Sequence, residues 1–574
     1  MRHLMTRSRR GIVRWALLAL LALPSLGAPP ATADDLGPAE AQYRAYLRRP
    51  SLYKRTIGRV KLAQTGLPGA LALLTEDYMR PEDPKDQVRY LIATIATENF
   101  GKTAEMAPLF AAWRARALEP LHAWLWYRSL IVDRNLSGTA ILETARSATQ
   151  PAVLRAAALR GLATLADPES PAVVADVLAA LPTTEPDRTL LIEVCSAVAR
   201  TWAPNLKDAK ARASIEILAN DLDDKKLTTD TKDILARNLA GLFGTDVMTG
   251  GSAPWIRELK GSETRPEGYV APETQYAPGP FFGLRAIGRR LVYVIDTSDS
   301  MLTRISPEEA KRIAPPVTTE GDGPLKKKPD AKANPDADLP WKKIHCRFDA
   351  AREVLKTALR ALKPDQFVCV ILFGDDARPL PSTMGLKPAE PKLIEAAIAE
   401  LDKITPVPTP DDKSRPYGKL RGETNLHGAL RLAFRVTTAS KLAIGEYVDL
   451  SKTGCDTVLV LSDGNPTEDD FLKNDKNDQG DKIVKDRETM VPVADQPTAN
   501  FPGPYGHVPF PADNFNYLID DVRRMNLLRQ AEIHCVGIGE VDDALLQAIA
   551  EIGGGRFRRV GEAASGAAPA GGGK

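Results

Sequence analysis

The apolar residues of this chain change their spacing near its middle, and that change divides the chain into two kinds of fold. Residues 34–245 carry apolar side chains at helical spacing in one run after another, most clearly at 153–165. From residue 281 onward, short continuous apolar runs alternate with helical runs. A chain of 574 residues is long enough for two domains with separate cores. We therefore predict an all-α domain followed by an α/β domain.

The helical half repeats at a regular interval. Runs of helical periodicity recur roughly every 35 residues, with a second helix between neighbouring runs, at 88–95, 121–131, 153–165, 190–198 and 234–242. Such a period is typical of helical pairs stacked into an α-solenoid, and it resembles HEAT-type repeats in spacing and pattern. An irregular α-bundle is the alternative. Residues 246–280 are rich in Gly, Pro and Ser and are predicted to be a linker.

The first 33 residues resemble an export signal peptide. Arginines between residues 7 and 14 precede an apolar run at 15–23, and Ala31-Thr32-Ala33 suits a cleavage site. Either the general secretory route or the twin-arginine route is open. We expect the protein in the periplasm, the cell envelope or the medium. Later apolar runs are too short to span a membrane, so no stable span is expected after cleavage.

The second half, residues 281–561, alternates strands and helices. Buried strands are predicted at 291–295, 367–373, 457–461, 533–538 and 556–560, with helical runs between them. This alternation predicts a Rossmann-like, doubly wound and mostly parallel sheet. Long insertions at 304–343, 405–422 and 465–512 should surround one edge of that sheet. The last residues, 562–574, are rich in Ala and Gly and predicted to be disordered.

Five oxygen-bearing side chains follow the predicted strands. The D-x-S-x-S run Asp296, Ser298 and Ser300 comes directly after the first strand, Thr424 opens a helix, and Asp463 follows the strand at 457–461. Parallel strands end at one edge of a sheet, where α/β proteins bind ligands. Carboxylate and hydroxyl oxygens suit Mg²⁺. The sequence therefore predicts a magnesium site at this edge.

The set in this order resembles the von Willebrand factor type A domain with its metal-ion-dependent adhesion site. The resemblance implies that Ser298, Ser300 and Thr424 contact the ion directly. It implies that Asp296 and Asp463 act through water, and that a partner protein's Asp or Glu carboxylate completes the octahedron. The late strand and the order of helices also match that family, over about half of the chain.

Two positions differ from the family pattern. Asp299 and Glu423 stand where the family often has glycine. Their negative charge could favour Ca²⁺ or Mn²⁺ over Mg²⁺, or weaken an acidic partner's binding. A vestigial site, in which these loop residues only cap helices, is the structural alternative.

The function predicted is divalent-cation-dependent protein binding, as an adhesion or scaffold protein, rather than catalysis. One alternative is a structural envelope protein that acts through its helical repeats. Another is a metal-dependent hydrolase using Asp296 and Asp463, but Ser298 stands where a haloacid dehalogenase-like phosphatase has a second Asp. His427, one turn after Thr424, could approach the metal face, but a solvent-facing or helix-packing role is predicted for it. His534 is predicted to be a core or near-core residue. With a formal net charge of +2, nothing indicates nucleic acid binding. The oligomeric state is left open.

Overall fold

The computed structural model describes most of the two predicted domains. The described residues are 36–80, 86–245, 247–248, 251–262, 281–284, 288–305, 339–404, 422–439, 442, 453–463, 466, 516–539 and 541–560. The predicted signal peptide, the predicted tail and most of the three insertions lie outside them.

The first half of the described chain is entirely helical. Its α-helices, within the described ranges, are α1 (Leu36–Leu47), α2 (Leu52–Ala63), α3 (Pro68–Met79), α4 (Asp86–Phe100), α5 (Ala107–Arg116), α6 (Ala123–Asn135), α7 (Ala140–Arg146), α8 (Ala152–Leu165), α9 (Ser170–Ala179), α10 (Asp187–Ala199), α11 (Ala209–Asp221), α12 (Thr229–Phe243) and α13 (Ala253–Gly261). Four of the five helical runs predicted from apolar spacing fall within one of them, and the run at 121–131 begins in the 3₁₀ turn Pro120–His122 just before α6. The all-α prediction is confirmed.

Alternate helices of this half stack on one another in chain order. One layer contains α2, α4, α6, α8, α10 and α12, and α7, α9, α11 and α13 form a second layer. Within each of these two layers, successive members are two positions apart in the chain and contact each other, which is the stacking of an α-solenoid. The likeness to HEAT-type repeats remains a prediction.

Helix α13 lies inside the predicted linker, which therefore does not extend through residues 253–261. The helix starts with Pro254 in its first turn, a position where the missing N–H costs nothing. Trp255 is fully buried and stacks on Phe243 of α12, with 6.3 Å between ring centroids. Trp255 and Leu259 are one turn apart and bury one face of the helix. The Gly- and Ser-rich flanks hid this short pattern.

The second half is built on one mixed, mostly parallel sheet. Its strands and helices are β1 (Arg290–Asp296), α14 (Arg347–Arg360), β2 (Phe367–Phe373), β3 (Ala377–Pro379), β4 (Lys387–Pro388), α15 (Pro391–Asp402), α16 (Leu426–Arg435), β5 (Thr457–Ser462), α17 (Asn516–Asn526), β6 (Glu532–Ile538), α18 (Asp543–Gly553) and β7 (Phe557–Val560). The strand order is β3-β2-β1-β5-β6-β7, and β4 pairs with β2. Strands β3 and β4 are antiparallel to β2, and the others are parallel.

Strand β1 is central and buried on both faces. Leu291, Tyr293 and Ile295 face a core that α14 and α15 cover. Val292 and Val294 face the other core, with α16, α17 and α18. This double burial explains why the strand reads as a continuous apolar run. The predicted doubly wound α/β fold is therefore confirmed.

The helical half packs against the amino-terminal edge of this sheet. Arg237 of α12 donates to the Asp456 carbonyl oxygen just before β5 (3.2 Å) and pairs with Glu532, the first residue of β6 (3.7 Å). Asp230 of α12 pairs with Arg290, the first residue of β1. The carboxyl-terminal edge, where Asp296 ends β1, is the opposite edge of the sheet. Among the described helices, none is both long and apolar enough for a membrane crossing.

Candidate metal centre

Asp296 fixes the loop that follows β1. The carboxylate is fully buried. Its Oδ1 accepts the Ser298 N–H at 2.8 Å, and its Oδ2 accepts the Ser462 hydroxyl at 2.6 Å. Thr297 donates its N–H and its hydroxyl to the Phe373 carbonyl oxygen, each at 2.7 Å. The loop is thus tied to the ends of both neighbouring strands, β2 and β5.

The two serines of the D-x-S-x-S run and the second aspartate form a chain of oxygen contacts. The hydroxyl oxygens of Ser298 and Ser300 are 3.0 Å apart, and the Ser300 hydroxyl donates to Asp463 Oδ1 at 2.6 Å. Asp463 directly follows β5 and is 1% exposed. The fold therefore brings four of the five predicted side chains together, through contacts between residues 163 positions apart.

Thr424 lies on a loop that is hydrogen-bonded to the serine loop. The Asp299 N–H donates to the carbonyl oxygen of Gly422 at 3.4 Å. Gly422 has a φ of +103°, which favours glycine, and Thr424 two residues later is 4% exposed. All five predicted residues thus belong to the same edge of the sheet.

Asp375, just after β2, positions the Thr424 loop and was not predicted from the sequence. Its Oδ1 accepts the Glu423 N–H at 2.6 Å, and a Cβ on Gly422 would lie 2.0 Å from the same oxygen. Asn425 then caps α16 by accepting the Gly428 N–H at 2.8 Å. The rule that parallel strands end at one edge would have pointed to Asp375 as well.

Arg347, the first residue of α14, is the second functional residue that sequence reasoning missed. Its Nη1 lies 3.1 Å from Asp463 Oδ2, and its side chain is 12% exposed. A Cβ on Gly539 would lie 2.1 Å from the Arg347 Cζ, so a glycine after β6 leaves room for the guanidinium. No spacing pattern connects residues 347 and 463.

The two carboxylates lie in an environment that disfavours their charge. Burial raises the pKa of Asp296, against the hydrogen bonds from Ser462 and Ser298. Burial and the neighbouring negative charge of Asp296 raise the pKa of Asp463, against the hydrogen bonds from Ser300 and Arg347. A cation between the loops would offset both effects.

The side chains present fit a hard divalent cation. They offer two carboxylates and three hydroxyls, and oxygen donors of this kind suit Mg²⁺, Mn²⁺ or Ca²⁺ with water completing the shell. Within the described ranges, no group of three or more His, Cys, Asp or Glu side chains is placed to hold a metal. Any ion here would therefore depend on the hydroxyls of Ser298, Ser300 and Thr424.

The remaining predicted residues occupy distinct places. Asp299 is exposed and begins a short 3₁₀ turn, and Glu423 is partly buried. His427 is buried with its Nε2 2.8 Å from Asp521 Oδ2 on α17, and His534 is buried in β6. His534 is thus a core residue, as predicted. His427 has the helix-packing role, which is one of the two roles predicted for it.

An open α/β sheet with oxygen-rich loops at its carboxyl edge defines a class of ligand-binding domains. A family model for the von Willebrand factor type A domain matches residues 342–483 and 510–558. Residues 342–558 therefore contain a von Willebrand factor type A domain. The match includes Thr424 and Asp463 but begins after β1, so Asp296, Ser298 and Ser300 lie outside it. No curated protein matches this chain.

Proposed function

We propose that the type A domain binds a partner protein through a divalent cation. Ser298, Ser300 and Thr424 contact the ion, Asp296 and Asp463 hold its waters, and an Asp or Glu of the partner completes the shell. The ion is Mg²⁺, or Mn²⁺ or Ca²⁺ given the added charge of Asp299 and Glu423. The observation that carries this proposal is the part-buried chain of oxygen contacts from Ser298 through Ser300 to Asp463.

The hydrogen bonds made by the two serines and by the nearby histidine favour binding over catalysis. Ser298 and Ser300 bond each other and Asp463. His427, the histidine one turn after Thr424, bonds Asp521 on α17. A nucleophilic serine is most often activated by a histidine, and the histidine nearest to this loop in sequence is engaged with Asp521. We therefore propose an exported binding protein and not an enzyme.

The position of the centre also favours a macromolecular partner. The helical half contacts the amino-terminal edge, through residues such as Arg237 and Asp230. The candidate ion site is at the other edge, beside the attachment points of all three insertions. A partner can approach it without displacing the helical half, which would serve as scaffold or second binding surface.

Calorimetric titration of Mg²⁺, Mn²⁺ and Ca²⁺ into the full chain tests the proposal. We expect saturable binding at one site, weakened by at least about tenfold in Thr424→Val and Ser300→Ala, because each removes a proposed ligand. Thr357→Val is the matched control, since the Thr357 hydroxyl donates to the Glu353 carbonyl oxygen within α14. Absence of binding to the folded wild-type protein, or equal binding by all variants, rejects the cation site.

The second candidate is a structural protein that acts through its helical half and has a vestigial cation site. The observation in its favour is the Arg347–Asp463 ion pair, which neutralises one carboxylate without any metal. Capture of a partner that persists in EDTA and in Thr424→Val would favour this candidate. Capture that needs the cation would favour the first.

A further inference from the structure

A cavity of about 460 Å³ lies where the helical half meets the type A domain. The helical half contributes residues from α6, α8 and α12 and from the turn after α10, including Tyr127 and Asn238. The type A domain contributes the end of α17, the residues that follow it, and the end of α18. This size lies in the range of small-molecule sites, which often occur between domains.

Three arginines line this cavity, and the acidic residue among its lining is Glu551. The Arg200 Nη2 donates to the Gly554 carbonyl oxygen at 2.5 Å, and Arg523 Nη1 donates to Asp520 Oδ1 at 2.6 Å. The lining residues alone, three arginines and one glutamate, carry a net charge of +2, and Asp520 outside the lining pairs with one of the arginines.

Arg160 differs from the other two arginines. Among the described residues, its guanidinium makes no hydrogen bond and no ion pair. By contrast, Arg200 donates to the Gly554 carbonyl oxygen on the wall of the same cavity. Burial, and also the positive charges of Arg523 and Arg200, lower the pKa of Arg160. Arg160 is half-buried on the cavity wall, and an anion in the cavity would give its guanidinium a partner of opposite charge.

Gln530 adds a second observation. Among described residues, neither its amide nitrogen nor its amide oxygen has a hydrogen-bond partner, and both atoms are buried. Its backbone φ is +55°, a left-handed conformation that side-chain-bearing residues rarely adopt. Buried amides normally find partners, and strained backbone at a cavity wall is typical of binding sites.

We propose that this cavity binds a small phosphate-bearing molecule. Arg160 and Arg200 hold the phosphate oxygens, and the Gln530 amide donates to one of them. A phosphate monoester carries close to two negative charges at neutral pH, and the net positive lining would attract it. Guanidinium groups bind such oxygens with paired, charge-assisted hydrogen bonds. The volume beyond one phosphate group accommodates an organic portion beside Tyr127.

The test measures thermal unfolding of the full chain in EDTA at constant ionic strength. The probes are inorganic phosphate, glycerol 1-phosphate and acetate, each balanced with chloride. We expect saturable rises in Tm with the two phosphates and none with acetate, because a ligand that binds only the folded state stabilises it.

Two variants and one control test whether Arg160 and Gln530 bind the phosphate. Arg160→Gln weakens phosphate binding about tenfold and does not lower Tm without anion, since it removes repulsion from the positive charges of Arg523 and Arg200. Gln530→Gly also weakens binding while glycine suits the positive φ. Arg116→Gln, at an exposed ion pair with Glu76, keeps the full phosphate effect.

Three results would overturn the proposal. The first is no rise in Tm with either phosphate. The second is an equal rise with acetate, which shows general charge screening. The third combines two observations: Gln530→Gly keeps the full phosphate effect, and Arg160→Gln is less stable than the wild type without anion. Together they would mean that Arg160 has a structural role and does not bind phosphate.

Discussion

Asp463 has a built-in positive partner, because Arg347 lies 3.1 Å from its carboxylate. The aspartate is fully buried at its side chain and the arginine is mostly buried. A cation at this edge would therefore enter a site where one carboxylate already has a counter-charge. The Asp463 carboxylate is therefore paired in the absence of any metal.

Removal of that partner should make the protein depend on the cation. We expect Arg347→Met to lower the free energy of unfolding by roughly 3 kcal/mol in EDTA, since a buried charge loses its partner. If a divalent cation binds at Asp463, saturating Mg²⁺ should recover part of the loss. Urea unfolding with and without Mg²⁺ measures both effects.

Arg347→Lys is the control, because it keeps the charge. A variant Arg347→Met as stable as the wild type would show that the ion pair contributes little. A loss that Mg²⁺ leaves unchanged would argue against a cation beside Asp463.

His122 should make stability depend on pH. It is 6% exposed, its Nδ1 is 2.8 Å from the Tyr78 hydroxyl, and burial, with a contribution from Arg89, lowers its pKa from 6.5 to about 4. Between these values the unfolded state binds more protons than the folded state, so stability falls as the pH falls from 6.5 to 4. The loss from this residue is at most about 3 kcal/mol.

Urea midpoints at several pH values across that window test this expectation. His122→Gln should show a shallower loss on acidification, because the titrating ring is gone. Equal slopes for wild type and variant would mean that His122 does not control the acid response.

The site residues that could be predicted are those that form a recognisable motif with their neighbours in sequence. Asp296, Ser298 and Ser300 share one short run after a strand. Arg347 could not be predicted, because its contact to Asp463 crosses 116 positions and depends on how α14 sits over the sheet. A lone arginine at a helix start gives no signal of its partner.

At the scale of elements, α17 holds α16 in place through buried charge. Asp521 of α17 accepts from Arg524 at 2.6 Å and lies 2.8 Å from His427 of α16. Burial opposes the charge on Asp521, but Arg524, His427 and Arg431 together hold its pKa well below the usual range. Because α16 begins just after Thr424, this contact also positions the loop of the candidate centre.

Loss of this contact should destabilise the fold and disturb the centre. We expect Asp521→Asn to lower the free energy of unfolding by roughly 3 kcal/mol, because buried cationic partners lose their anion. Any cation affinity should fall with it. Chemical denaturation and calorimetry measure the two effects.

The matched control is Glu76→Gln, which removes an ion pair whose carboxylate side chain is 60% exposed. It should change stability by less than about 1 kcal/mol, as exposed pairs do. If Asp521→Asn loses no more stability than this control, the buried charges of Asp521 do not hold α16 in place.

Element prediction succeeded where the pattern was long and regular. The strand predicted at 291–295 is Arg290–Asp296, and the helical run at 153–165 is Ala152–Leu165. It failed for the two- and three-residue strands β4 and β3, which are too short to show alternation. It also failed for α13, where two buried residues carry the helix among turn-forming neighbours.

At the scale of the whole molecule, the two halves share a core. Leu527 and Leu528, just after α17 of the type A domain, are buried within the hydrophobic cluster of the helical half. Arg128 of α6 also pairs with Asp520 at 3.1 Å. Sequence patterns could not reveal this contact, because periodicity shows that a helix face is apolar and not which distant surface covers it.

Weakening of that shared core should uncouple the halves. We expect Leu527→Ala to cost about 2–4 kcal/mol and to split one calorimetric unfolding transition into two. Leu401→Ala, buried inside the type A domain alone, should lower stability without splitting the transition. A single transition in Leu527→Ala, or two already in the wild type, would show that the halves unfold independently of this contact.

The docking of the helical half on one edge of the sheet divides the type A domain into a constrained end and a free end. At the amino edge, contacts such as Arg237 with Glu532 and Asp230 with Arg290 require two distant residues to change together. At the other edge, the long insertions attach next to residues 305, 404 and 466. In an evolving lineage, insertions and substitutions should therefore accumulate around the candidate centre, while the buried edge changes slowly and in pairs.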